Sequence, residues 1–102
     1  MSRQYRLTAL AARQRDDIAA FIAEHQSVDV ALRFYDALEA ALEQLAEFPG
    51  LGHAREDLTD RPLKFWGVWS YLVVYDPQSQ PLTVHAVAHG ARDVMALLED
   101  NA

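Results

Sequence analysis

The feature that most constrains this chain is a long apolar stripe with clear stops at both ends. Between Ser27 and Pro49, the residues Ala31, Phe34, Tyr35, Leu38, Ala41, Leu42, Leu45 and Phe48 recur at intervals of three and four. That period describes one face of an α-helix. Asp36, Glu39, Glu43 and Glu47 fall mostly off the stripe, Ser27 offers a side-chain cap, and Pro49–Gly50 ends the run. A single helix of this kind gains most of its stability from burying its stripe, so the rest of the chain must supply a surface for it.

Part of that surface is a second helix. From Ala9 to about Glu24 the chain is Ala-rich, with Ala11, Ile18, Phe21 and Ile22 at helical spacing and Asp16 and Asp17 opposite. Thr8 is a plausible cap for it. The segment "HQSVD" separates the two helices by a short break, which predicts an antiparallel hairpin. Ahead of them, Arg3–Thr8 carries Tyr5 and Leu7 at period two, as a short strand would.

Beyond the polar loop Pro49–Pro62 the pattern turns to β. Leu63–Val68 and Tyr71–Asp76 are aromatic and β-branched, and "PQSQP" reads as a turn. Leu82, Val84, Ala86 and Ala88 then alternate with Thr83, His85, Val87 and His89. "RDVMALLED" suits a short closing helix. The order β-α-α-β-β-β with that last helix predicts an α+β fold: a helical hairpin packed on a small, mainly antiparallel sheet, as one domain over residues 1–102.

Composition narrows the function classes. There is no cysteine, so disulfides and thiolate chemistry are excluded. Fifteen acidic residues against nine basic ones give a net charge of −6, and Lys64 is the only lysine. Nucleic-acid binding draws on a basic excess, so a protein partner is the better expectation. The N-terminus has no apolar signal region and no run approaches the length of a membrane span, which suits a cytoplasmic protein.

Metal and catalytic motifs are absent from the pattern. His85 and His89, four apart in a strand, stand roughly 13 Å from each other at about 3.3 Å per residue and cannot share an ion. His25 and His53 have no ligand spacing around them. Ser70, His89 and Asp93 lack the glycine framework of a nucleophile elbow, and no phosphate-binding glycine motif occurs. We therefore expect no catalytic residue, metal or cofactor.

What remains is "KFWGVWSYLVVYDP", Lys64–Pro77, which holds Phe65, Trp66, Trp69, Tyr71 and Tyr75. If Trp69–Ser70 is a two-residue turn, Tyr71, Val73 and Tyr75 join Lys64 and Trp66 on one face. Trp-Ser is poor chemistry for such a turn, which prefers Asn-Gly or Gly-X. Both strand faces are apolar: one suits the helices, and the other needs a different cover, either a partner or a second layer within the domain.

Taken in order, "YRLTALAARQRDDIAAFIAE", "ALRFYDALEAALEQLAEFPGLGHAREDL", "LKFWGVWSYLVVYDP" and "VAHGARDVMALL" resemble the RelE/ParE toxin superfamily, and its ParE branch in particular. The resemblance spans nearly the whole chain. It implies the toxin of a type II toxin–antitoxin pair that poisons DNA gyrase by binding it. A ParD-like antitoxin would neutralise the toxin by folding a disordered C-terminal segment onto it, in a hetero-oligomeric complex that meets operator DNA only through the antitoxin. The partner-binding residues expected on this basis are Lys64, Trp66, Trp69, Tyr71, His89, Arg92 and Asp93; the plainer alternative for Arg92 is that it only pairs with a neighbouring carboxylate and fixes the start of the C-terminal segment.

The alternative branch, the RelE-type ribosome-dependent mRNA interferases, carries an arginine where this chain has Leu72. It also carries a tyrosine where this chain has Leu98, while Arg92 does match. A leucine can neither stabilise a phosphate nor move a proton. A third reading is a degenerate toxin that only binds antitoxin and tunes the operon.

Overall fold

Two capped helices and a four-stranded sheet build the molecule, in a computed structural model that describes residues 4–89. The elements are β1 (Tyr5–Leu7), α1 (Ala9–His25), α2 (Val28–Glu47), a 3-10 turn at Pro49–Leu51, β2 (Lys64–Val68), β3 (Tyr71–Asp76) and β4 (Leu82–Ala88). Arg3 and the segment expected to form a closing helix lie outside the described residues.

The expected caps are in place. The Thr8 hydroxyl accepts the Ala11 N–H at 3.1 Å, and the Ser27 hydroxyl accepts the Val30 N–H at 3.1 Å. Thr8 has a second task, because its hydroxyl also donates to the His85 carbonyl at 3.2 Å and so ties the start of α1 to β4.

Strand order is β1-β4-β3-β2. β1 runs parallel to β4, while β4–β3 and β3–β2 are antiparallel. The helical hairpin covers one sheet face. From α2, Phe34, Leu38, Leu42 and Leu45 are buried there against Val68, Val73, Tyr75, Leu82, Val84 and Val87.

Two ends of the helical stripes depart from expectation. Phe21 and Phe48 are each 56% exposed. Phe21 lies on the flank of α1 and stacks on His25, with ring centroids 4.1 Å apart. On α1 the expected Ala11 and Ile22 are buried, joined by Ala19, and the two alanines let the helix lie close to its neighbours.

The simple alternation expected in the last strand is also broken. Val74 pairs with Ala86 but Tyr75 pairs with Val84, which leaves His85 as the extra residue of a β-bulge. One inserted residue reverses the faces beyond it. Val87 therefore joins Leu82 and Val84 in the helix-side core, while Ala86 and Ala88 belong to the opposite cluster.

That opposite face is closed within the chain. Leu63, Phe65, Val74, Ala86 and Ala88 are buried there, with Leu58 and Leu72 packed on them. No partner is needed to cover it, which settles the choice left open by the two apolar faces in favour of a second internal layer.

Candidate functional site

The β2–β3 hairpin is closed by Trp69 and Ser70, since Val68 pairs with Tyr71. Such a turn needs positive φ, and Trp69 supplies it at 56°. A bulky residue in the left-handed region is strained by roughly 1–2 kcal/mol. Packing opposes that strain: the Trp69 ring meets the buried ring of Phe34 edge-on, with centroids 5.7 Å apart.

Phe34 is the hub of an aromatic cluster. Tyr71 approaches it edge-on at 5.4 Å, and His89 lies 5.2 Å from Tyr71 at a tilt of 53°. Trp69 is 52% exposed and His89 is exposed, so the cluster reaches from the core to the surface. Thus Trp69 and Tyr71, both expected at a partner site, meet a helix residue assigned from its spacing to the core alone, and His89, expected there too, joins them through Tyr71.

Lys64 and Trp66 lie on the same face further along β2, with a different set of neighbours. Trp66 is half-buried and stacks with His53, ring centroids 6.3 Å apart. The Lys64 ammonium donates to the Gly52 carbonyl at 3.4 Å. His53 forms an isolated bridge with Phe65, which holds the loop beside the sheet edge. Nothing in the sequence marks His53 as a neighbour of Trp66, because the two are joined by an irregular loop. Arg92 and Asp93 lie outside the described residues.

The loop is anchored from within. The Tyr75 hydroxyl donates to the Pro49 carbonyl at 2.7 Å and accepts the Gly52 N–H at 2.9 Å. Burial raises the Tyr75 phenol above its ordinary value, so it stays neutral and able to donate. Among the described residues no three of His, Cys, Asp and Glu come together in a way that could hold a metal ion. The surface offers aromatic area, one ammonium and two imidazoles, those of His53 and His89, a composition suited to docking a macromolecule.

Comparison with known proteins gives this surface a context. The chain matches the family model described as the ParE toxin of type II toxin-antitoxin system, parDE, over residues 5–94. The chain belongs to the ParE toxin family.

As a ParE-type chain it is the toxin of a ParDE toxin–antitoxin system. A solved structure of a chromosomal ParDE TA system from P. aeruginosa superposes with a TM-score of 0.71 at 12% identity, covering 86% of this chain and 96% of that one. At that identity the likeness bears on the fold, which is the two-helix, mixed-sheet α+β architecture described above. No curated protein matches the chain. No helix among the described residues is long and apolar enough to cross a membrane.

Proposed function

We propose that this ParE-type toxin arrests growth by binding DNA gyrase in the cytoplasm, without chemistry of its own, and that a ParD-like antitoxin neutralises it by docking on the toxin. The observation that carries the binding reading is Leu72 in a chain of the ParE family. Leu72 packs against the apolar cluster of the second sheet face, at the place where the nuclease branch carries an arginine. It offers neither a charge for a scissile phosphate nor a proton.

The partner-binding surface in this proposal comprises Lys64, Trp66, Trp69, Tyr71 and His89, with Arg92 and Asp93 completing it. Supporting it are the half-exposed Trp69 and the continuity of its ring with Tyr71 and His89. Large, rigid aromatics at a surface are the residues that dominate protein–protein binding energy.

Gyrase supercoiling and cleavage assays, run beside a ribosome-dependent mRNA cleavage assay, test this. Inhibited supercoiling with accumulated cleaved DNA is expected. Cleaved mRNA with gyrase untouched would replace the proposal by the nuclease reading.

A further inference from the structure

The second sheet face changes from apolar to polar at one end. Its apolar cluster includes Val74 of β3 and Ala86 of β4. Past it, the register sets Arg6 of β1 beside Thr83 of β4, and Thr83 beside Asp76 of β3. Their strand neighbours Tyr5, Leu7, Leu82, Val84 and Tyr75 pack on the helix side. By alternation Arg6, Thr83 and Asp76 form a polar row on the opposite face, with about 4.8 Å between adjacent strands.

Two further groups reach this row. His85 is the extra residue of the β-bulge, and a bulge re-aims a side chain. Arg61 belongs to the loop laid over the same face, between Leu58 and Leu63, which both pack on the apolar cluster. Burial first, then Arg61, lowers the His85 imidazole below its ordinary value; Asp76 opposes this and Arg6 adds a smaller push, which places all three groups near the ring.

The cluster carries uncompensated positive charge. Arg6 and Arg61 are exposed, and neither guanidinium has an ion-pair partner among the described residues. The one carboxylate in the row, Asp76, accepts the Gln78 N–H at 2.9 Å. The buried Thr83 hydroxyl is held by Ser79 at 2.7 Å. Two guanidiniums thus face one carboxylate, and an anion seated between them would favour a proton on His85 where the guanidiniums alone disfavour it.

We infer that Arg6, Arg61 and His85 form a binding site for a single phosphate group, free or as a small phosphomonoester. The donors come from a strand, a loop and a bulge, so they approach from separate directions. That suits the oxygens of a tetrahedral anion better than those of a planar carboxylate. One such cluster on a chain of net charge −6 holds one phosphate rather than a nucleic-acid backbone, whose binding draws on many phosphate contacts. Trp66 and Tyr71 pack on the helix side, so this site is separate from the partner surface proposed above.

NMR titration of the His85 ring with inorganic phosphate, against sodium chloride at matched ionic strength, is the test. Phosphate should shift the ring signals to saturation, and the imidazole should titrate at a higher pH than in chloride. Arg6→Gln and Arg61→Gln should each weaken phosphate binding by about fivefold or more, with thermal unfolding little changed. Sulfate, a tetrahedral dianion of constant charge, should bind wild type more tightly as pH falls through the titration of His85, and His85→Gln should lose that dependence. Ring shifts that follow ionic strength alone, or that persist in the double arginine variant, overturn the site. Acetate binding as tightly as phosphate overturns the tetrahedral preference. A short DNA duplex that binds far more tightly than phosphate through the same arginines overturns the single-phosphate reading.

Discussion

The side-chain carbonyl of Gln14, on α1, accepts the backbone N–H of Val87, on β4, at 2.9 Å. β1 pairs with β4 only as far as Val84, and beyond the bulge at His85 a helix side chain takes the place of the missing strand. The end of β4 therefore keeps its hydrogen bonding without a longer β1. Replacing Gln14 with Ala leaves the Val87 amide unpaired in a partly buried site, at a cost of about 1–3 kcal/mol. Urea denaturation should show that loss, with faster exchange at Val87, and Gln14→Glu, which keeps an acceptor, should retain more of the stability.

Gly52 is required by its neighbour rather than by its own dihedral angles. A Cβ there would collide with the Tyr75 hydroxyl and lie 2.8 and 2.9 Å from two ring carbons. Gly52→Ala should cost about 1–3 kcal/mol by overpacking, read as a lower thermal midpoint. Tyr75→Phe does not rescue it, because the ring carbons remain. Restored stability in the double variant would contradict this account.

Trp69 separates stability from binding. Trp69→Gly relieves the left-handed backbone but removes the edge contact with Phe34. These effects oppose one another, so unfolding free energy should change by less than about 1 kcal/mol. Affinity for the antitoxin or for gyrase should nonetheless fall by about tenfold or more, as expected of an aromatic anchor. Titration calorimetry beside thermal melts distinguishes the two. A variant that binds as wild type does removes Trp69 from the proposed surface.

His85 makes stability depend on pH in one direction. Burial first, then the Arg61 guanidinium, with a smaller effect of Arg6, holds its imidazole below the ordinary value of 6.5, while Asp76 opposes the shift. The unfolded chain therefore takes up the proton at a higher pH than the folded one. Stability from the neutral imidazole is complete above about pH 6.5 and is lost as pH falls through the lower folded value. Denaturation midpoints measured from pH 7.5 downward should decline more steeply for wild type than for His85→Gln. Parallel curves would refute the assignment.

Much of the fold was legible in the sequence because it depends on local chemistry. Thr8 and Ser27 cap their helices as their side chains dictate, and the α2 stripe buries Phe34, Leu38, Leu42 and Leu45 as its period requires. The strand at Tyr71–Asp76 follows from β-branched and aromatic residues. The candidate surface was legible only as a list of aromatics. That Trp69 and Tyr71 share one helix residue, Phe34, and that His89 joins them through Tyr71, was not, because contacts between residues far apart in the chain leave no periodic trace.

By itself, then, the sequence determined the elements, their caps, the helical hairpin and the acidic balance, since each follows from neighbours a few residues apart. Tertiary structure alone decided the parallel pairing of β1 with β4, the bulge at His85 and the strained turn at Trp69. It also decided that the second sheet face closes within the chain. In each case the deciding energy is packing between distant segments: Trp69 adopts a backbone its own chemistry disfavours because Phe34 lies beneath it.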